Sequence, residues 1–104
     1  MSVHSVTTIS ELQRLTTGHK LVVVDAYSQY CPPCRMMSPK FLDLSQNNPN
    51  VTFVKFDVDQ SPELADMYDI SSLPTFLFIK YGNVIATVVG ADYPLLVRTI
   101  REHA

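Results

Sequence analysis

The sequence contains two cysteines, Cys31 and Cys34, which are separated by two prolines. A spacing of three along the start of a helix brings both sulfur atoms onto one side, close enough to form or break a disulfide. The N-terminus of a helix also carries unpaired N–H groups and a positive partial charge, which favour a thiolate. Cys31 is therefore the predicted nucleophile. Cys34, one turn further on and covered by helix packing, is predicted to resolve a mixed disulfide on Cys31.

The two prolines, Pro32 and Pro33, restrict the redox loop. A residue that precedes proline avoids the helical region, and this restriction applies to Pro32 as well as to Cys31. We therefore expect the helix to begin no earlier than Pro33. Because neither proline has an N–H group, Cys34 is the first residue after Cys31 whose amide can donate to the Cys31 sulfur.

Three other roles for the cysteine pair stay open at this point. A tetrahedral zinc site needs about four ligands, but the sequence has no second CxxC, and His4, His19 and His103 are scattered. A structural disulfide across so short a loop would restrain the unfolded chain little. Two inert buried thiols are the third alternative. We expect no metal site, and the position of the pair at a helix start favours redox chemistry.

The elements that must position the cysteines alternate between strands and helices. An apolar run over 21–26 predicts a central strand that is covered on both faces. Several hydroxyl residues over 7–10 offer N-caps for the first helix, and Gly18 closes it. Ser61 and Asp92 are predicted to cap two later helices. The other predicted strands cover 3–7, 51–58, 75–80 and 83–89, and the predicted helices cover 9–17, 34–46, 62–68 and 93–101.

This order, βαβαβαββα, implies an α/β fold with a mixed sheet and with helices on both faces. The ligand face is predicted at the carboxyl ends of the parallel strands. The chain has 104 residues, of which 46% are hydrophobic and 17% charged, so we expect one domain over residues 1–104.

Charge and hydropathy exclude several classes of partner. A net charge of -2 gives no basic surface for nucleic acid or for an anionic membrane. The longest apolar run, Leu21-Val-Val-Val24, is far shorter than the roughly 20 residues that span a bilayer. The first residues, MSVHSVTTIS, lack the plan of a signal peptide. We therefore expect a cytoplasmic protein that binds neither nucleic acid nor membrane.

Three segments share the order and spacing of a known family. They read VVVDAYSQYCPPCRMMSP, VKFDVDQSPELADMYDISSLPTFLFIKYG and VVGA. Together they resemble the thioredoxins, particularly the short cytosolic type of eukaryotes, over essentially the whole chain. The specific features are Asp25 six residues before Cys31 and the Leu73-Pro74-Thr75 segment about forty residues after the cysteines. The resemblance implies the thioredoxin fold, a central mixed sheet of about five strands flanked by four helices.

The resemblance also implies a surface for peptide substrates. It implies that Leu73-Pro74 is a cis peptide that faces the disulfide, with the backbone of Leu73 pairing with an extended substrate segment. Sequence alone favours a trans bond, because only about 5% of X–Pro bonds are cis. The substrate-binding residues implied by the resemblance are Tyr30, Leu73, Pro74, Thr75, Gly90 and Ala91.

Asp25 is a carboxylate near the end of an apolar run, where burial would raise its pKa toward neutrality. By resemblance, it takes the proton of Cys34 through a water molecule. Lys55 matches the lysine that neighbours this carboxylate in the family, and it would oppose the shift. The alternatives are an exposed Asp25 that ends a strand and a Lys55 that points to solvent.

The sequence also departs from the family. Tyr27 and Tyr30 stand where members usually carry tryptophan, and the chain has no tryptophan. The Pro-Pro pair resembles that of tryparedoxins, and it leaves the reductant and the potential open. Pro39 matches a proline that bends the second helix in the family, as an interior proline should.

Taken together, these features predict a protein-disulfide reductase, a thioredoxin-type dithiol electron carrier in cell redox homeostasis. By resemblance, it binds no cofactor of its own, acts on disulfide-containing proteins and receives electrons from NADPH through a thioredoxin reductase. We expect a monomer. The alternatives are a disulfide oxidase or isomerase, which the Pro-Pro pair suggests, and a non-catalytic thioredoxin-fold module that binds a partner through the patch around Tyr30.

Overall fold

A computed structural model describes residues 3–104, which contain five strands and four helices. The strands are β1 (Val3–Ser5), β2 (Val22–Tyr27), β3 (Thr52–Asp57), β4 (Thr75–Lys80) and β5 (Asn83–Val89). The helices are α1 (Ile9–Thr16), α2 (Pro32–Asn47), α3 (Pro62–Met67) and α4 (Tyr93–His103). The predicted order of elements is confirmed, and the two strands of the hairpin have the predicted bounds.

The strands form one mixed sheet in the order β1-β3-β2-β4-β5, so β2 is central as predicted. β2 pairs parallel with β3 and antiparallel with β4, and β5 pairs antiparallel with β4. In this register Thr75 lies opposite both Ala26 and Val89. The residues that follow β2 therefore lie at the same end of the sheet as those that precede β4 and those that follow β5.

Helices cover both faces of the sheet, which explains why β2 is apolar throughout except for one carboxylate. On one face, Met37 and Phe41 of α2 pack with Leu96 of α4 against Phe53 of β3 and against Phe76 and Phe78 of β4. On the other face, Leu12 of α1 and Leu64 of α3 pack against the sheet. Removing these apolar side chains from water is the main force that holds the layers together.

Side-chain caps mark the starts of α1 and α4 but not that of α3. Thr8 and Glu11 form a capping box at the start of α1, and the Asp92 carboxylate accepts from the Leu95 amide at the start of α4. Ser61 has the predicted N-cap position of α3, but its hydroxyl donates to the Thr7 carbonyl at 2.8 Å instead of capping the helix. None of the helices within residues 3–104 combines the length and the apolar composition that crossing a membrane requires.

Candidate active site

α2 begins at Pro32, with Cys31 as its N-cap residue. The expectation that this helix begins no earlier than Pro33 was wrong. Both prolines lie in the first turn, where their missing N–H groups would have no partner within the helix. The suitability of proline for the first helical turn outweighs the restriction that Pro33 places on the backbone of Pro32.

Cys31 and Cys34 form a disulfide in which the two Cα atoms are 5.2 Å apart. The Cys34 amide donates to Cys31 Sγ at 3.2 Å, which is the hydrogen bond expected from the sequence. Cys34 is 3% exposed, whereas Cys31 is half-buried. Since thiol–disulfide exchange requires access to the attacked sulfur, Cys31 is the cysteine that an incoming partner can reach.

The loop between β2 and α2 is held by hydrogen bonds to Ser28. The Cys31 amide donates to the Ser28 carbonyl at 3.2 Å, and the Tyr30 amide donates to Ser28 Oγ at 3.2 Å. Ser28 Oγ in turn donates to Asp59 Oδ2 at 2.7 Å. Neither Ser28 nor Asp59 was predicted from the sequence to belong to the site. A signal for Asp59 was its position just after β3. The carboxyl ends of the parallel strands β2 and β3 lie at the same edge of the sheet, so residues that follow them can meet there.

Asp25 is buried, with 4% of its surface exposed, and its Oδ1 atom has no hydrogen-bond partner among residues 3–104. The exposed alternative is thereby excluded. Burial raises the pKa of Asp25 to about 7, although the Lys55 ammonium group opposes the shift. Asp25 and Cys34 line the same cavity of about 140 Å³. A water molecule needs about 30 Å³, so this cavity, which both residues line, has room for a few waters.

Lys55 lies opposite Asp25 in the parallel pairing of β2 with β3. It is half-buried, and its Nζ atom lies 5.8 Å from the centre of the Tyr27 ring. Lys55 and Asp25 line the 140 Å³ cavity together, and both also line a second cavity of about 330 Å³ beside Pro39. Lys55 is therefore close enough to lower the pKa of Asp25, while Pro39 lies inside α2 as the sequence predicts.

The Leu73-Pro74 peptide bond is cis, as the resemblance implies. The Gly90 amide donates to the Pro74 carbonyl at 2.7 Å, so the turn after β5 lies against the start of β4. Tyr30 is 77% exposed, and Leu73, Gly90 and Ala91 are half-buried. These residues are available to a partner at the end of the sheet that carries the cysteines.

Two residues of the predicted peptide surface are buried. Thr75 is 5% exposed, and its hydroxyl donates to the Ser72 carbonyl at 2.6 Å. Pro74 is buried as well. Their side chains therefore belong to the protein interior, and any contact they make with a substrate must use the backbone.

Among residues 3–104, no group of three or more His, Cys, Asp and Glu side chains is placed to hold a metal ion. The groups at the site that can exchange electrons are the sulfur atoms of Cys31 and Cys34. The half-buried Cys31 at a helix start is joined to the buried Cys34, which lines the same cavity as a carboxyl group of near-neutral pKa. Such a pair can accept and release two electrons.

Residues 3–102 match the profile of the family described as Thioredoxin. The chain belongs to the thioredoxin family. Thioredoxin H1 from Arabidopsis thaliana is 42% identical over 101 residues, and the match covers 96% of this chain and 89% of that protein. Thioredoxin-2 from Pyricularia oryzae is 40% identical over 96 residues, which cover 92% of this chain and 56% of that protein.

A solved structure supports the same conclusion. The X-ray structure of Fasciola hepatica thioredoxin superposes with a TM-score of 0.95 at 38% identity, covering 97% of this chain and 99% of that one. The thioredoxin fold predicted by the resemblance is therefore confirmed. Thioredoxins are protein-disulfide reductases that carry no cofactor of their own, and the Cys31–Cys34 disulfide makes this chain a thiol–disulfide oxidoreductase.

Proposed function

We propose that this thioredoxin reduces disulfides of partner proteins, with Cys31 as the nucleophile and Cys34 as the resolving thiol. The observation that carries the proposal is the asymmetry of the pair. Cys31 is half-buried at the N-cap of α2, whereas Cys34 is 3% exposed. In the reduced protein, the Cys34 amide and the positive end of α2 stabilise a thiolate on Cys31.

Reduction takes two exchange steps. The Cys31 thiolate attacks one sulfur of the substrate disulfide, a Cys31–substrate disulfide forms, and the other substrate sulfur leaves as a thiolate and takes a proton from water. Cys34 then loses its proton and attacks the Cys31 sulfur, which releases the second substrate thiolate and forms the Cys31–Cys34 disulfide. Two electrons have passed from the dithiol to the substrate.

Asp25 is the proposed base for the second step. Its carboxylate takes the Cys34 proton through the 140 Å³ cavity that both residues line. A pKa of about 7 supports this role, because the group is then partly ionised at neutral pH and can also return the proton. Lys55 assists by keeping that pKa from rising further.

The substrate segment is proposed to bind along the end of the sheet that carries the cysteines. Leu73 comes directly before Pro74 and lies outside the strands, which supports the proposal that its backbone groups pair with an extended peptide. Tyr30, Gly90 and Ala91 supply accessible surface around the half-buried Cys31. Such a shallow surface suits many partners, since main-chain pairing does not depend on the substrate's side chains.

The domain organisation, oligomeric state, compartment and electron donor are proposed from the family. Residues 1–104 form one domain that acts as a monomer in the cytoplasm, and a flavin-containing, NADPH-dependent thioredoxin reductase restores the dithiol. Support comes from the match over residues 3–102 and from the resemblance to cytosolic eukaryotic thioredoxins. Reduction of the purified protein by NADPH with a thioredoxin reductase tests the donor, and imaging of the tagged protein tests the compartment.

The two cysteine variants test the mechanism. With dithiothreitol as reductant, the wild-type protein should reduce insulin disulfides, and Cys31→Ser should abolish this activity. Cys34→Ser should instead accumulate mixed disulfides with the substrate, because the first step still occurs and the second cannot. Wild-type rates from either variant would contradict the assignment.

The Pro32-Pro33 pair favours one alternative, a disulfide oxidase or isomerase. Equilibration with glutathione separates the two directions, because thioredoxins in general have potentials near about -270 mV and oxidants lie between about -180 and -120 mV. A reduction potential near about -270 mV supports the reductase. A non-catalytic binding module would instead keep its affinity for a partner in the Cys31→Ala/Cys34→Ala double variant.

A further inference from the structure

Ser28 connects the loop that carries Cys31 to the loop that follows β3. Its hydroxyl donates to Asp59 Oδ2 at 2.7 Å and accepts from the Tyr30 amide at 3.2 Å. Its carbonyl accepts from the Cys31 amide at 3.2 Å. Ser28 is 7% exposed, so water does not easily replace these partners.

Asp59 is a fixed acceptor because the end of β3 holds it. The Asp59 amide donates to Asp57 Oδ1 at 2.8 Å, and Asp57 is the last residue of β3. The next amide along the chain from Asp57, that of Val58, donates to the Tyr27 carbonyl at 2.9 Å. The backbone of Asp59 is therefore held at the end of the sheet, and the hydrogen bond that its carboxylate accepts from Ser28 is charge-assisted.

The Ser28 hydroxyl is a donor and an acceptor at the same time. A hydroxyl that donates to a carboxylate becomes a better acceptor, so the hydrogen bond from Tyr30 is strengthened. Loss of the hydroxyl would leave the Tyr30 amide without this partner. The backbone of Cys31 would then keep the bond from its amide to the Ser28 carbonyl and the bond that its carbonyl accepts from the Arg35 amide at 3.1 Å.

The thiolate of Cys31 is unusually dependent on such positioning in this chain. Pro32 and Pro33 have no N–H groups, so the Cys34 amide is the first donor available to the sulfur. Cys31 must also keep the extended backbone of an N-cap residue, and it has φ -108° and ψ 108°. A loop that loses its anchor would let the sulfur move away from the Cys34 amide.

We propose that Ser28 is a positioning residue for the nucleophile. It acts through a chain of hydrogen bonds from Asp59 through Ser28 to Tyr30, which holds Cys31 where the Cys34 amide and the start of α2 stabilise its thiolate. This inference rests on the proposed role of Cys31 as the nucleophile.

Two measurements on the reduced protein test the inference, namely the pH dependence of Cys31 alkylation by iodoacetamide and the hydrogen exchange of the Tyr30 amide. Ser28→Ala should move the alkylation midpoint to higher pH. The rate at pH 6 should fall roughly threefold or more, with the rate at pH 10 unchanged, because less of Cys31 is ionised. The Tyr30 amide should exchange roughly tenfold faster. Ser28→Thr, which keeps the hydroxyl, should stay within about twofold of wild type in both.

Ser45 offers a matched control. It is also 7% exposed, and its hydroxyl donates to the Leu42 carbonyl at 2.6 Å within α2. Ser45 lies about 21 Å from Cys31 along the axis of α2, at a rise of about 1.5 Å per helical residue. Ser45→Ala should therefore leave the alkylation profile and the Tyr30 exchange unchanged.

Asp59→Ala tests whether the hydrogen bonds act as one chain. Asp59 is exposed, so this variant should fold even if Ser28→Ala does not. It should also speed the exchange of the Tyr30 amide, and the Ser28→Ala/Asp59→Ala double variant should be no faster than Ser28→Ala. Additive effects, or wild-type exchange in Asp59→Ala, would overturn the inference.

The proposed function and this inference fail in different ways. If Cys31→Ser still reduces insulin, Cys31 is not the nucleophile and the proposed function is wrong. If Cys31 is essential but folded Ser28→Ala keeps the wild-type alkylation profile, only the positioning role of Ser28 is wrong.

Discussion

Asp25 stands between Val24 and Ala26, both of which have no exposed surface. These neighbours pack on the side of the sheet that α1 and α3 cover, so Asp25 points to the other side, toward α2. Burial there raises its pKa to about 7, and Lys55 is the cation that limits the rise. The chemistry of Asp25 at neutral pH therefore depends on one neighbour across the strand pair.

Replacing that neighbour should move the ionisation of Asp25. In Lys55→Met the apolar stem is kept and the charge is lost, so the pKa of Asp25 should rise above about 7. Titration of the Asp25 carboxyl carbon by ¹³C NMR in the oxidised protein measures the change. Lys80→Met is the control, since Lys80 is also half-buried but lies at the far end of β4. An unchanged or lower pKa in Lys55→Met would contradict the assignment.

The junction between β5 and α4 shows how one element places the next at the site. Gly90 has φ +89°, a conformation that residues with a side chain rarely adopt. Its amide donates to the Pro74 carbonyl at 2.7 Å, which holds the junction against the start of β4. A Cβ atom at position 90 would meet no heavy atom within 4 Å among the described residues, so it is the backbone conformation that favours glycine there.

Gly90→Ala should lower the free energy of unfolding by about 1 to 2 kcal/mol, because the backbone must keep its positive φ. Gly18→Ala is the matched control, since the space around its Cβ within residues 3–104 is equally open and its φ is not in that region. That variant should be neutral or slightly stabilising. Urea unfolding of both variants measures the difference, and equal stabilities would show that the Gly90 conformation relaxes freely.

For the molecule as a whole, the buried Asp25 makes stability depend on pH. The pKa of its carboxyl group is 3.8 in the reference state and about 7 in the fold. Between these values the unfolded chain has released the proton and the folded chain retains it. The contribution of Asp25 to the free energy of unfolding is therefore fully present below about pH 4, and it is lost as the pH rises through about 7.

Asp25→Asn should remove this dependence. At pH 8 the variant should be more stable than wild type by up to about 4 kcal/mol, the equivalent of a shift from 3.8 to about 7. At pH 3, where Asp25 is protonated in both states, the two proteins should have nearly equal stability. Urea unfolding at the two pH values measures both differences. A stability gain at pH 3 as large as that at pH 8 would show that burial of a charge is not the cause.

The order of the elements and the cysteine chemistry were predictable because their signals are local. The run 75–80 and the segment 83–89, with Tyr81-Gly82 between them, define a hairpin within fifteen residues, and the structure has these bounds. The apolar run around Asp25 likewise predicted a covered strand and a raised pKa. The start of α2 was missed by one residue, because two local preferences of proline opposed each other there.

By itself, the sequence determined the periodicity of each element, the burial of β2 and the placement of two thiols at a helix start. Only the tertiary structure decided which distant residues complete the site. Ser28 and Asp59 are 31 positions apart, and their hydrogen bond exists because β2 and β3 pair in a register that sets Tyr27 opposite Asp57. Lys55 meets Asp25 through the same pairing. Such contacts depend on strand order and register, which are set by packing the whole sheet between its helices rather than by any local pattern.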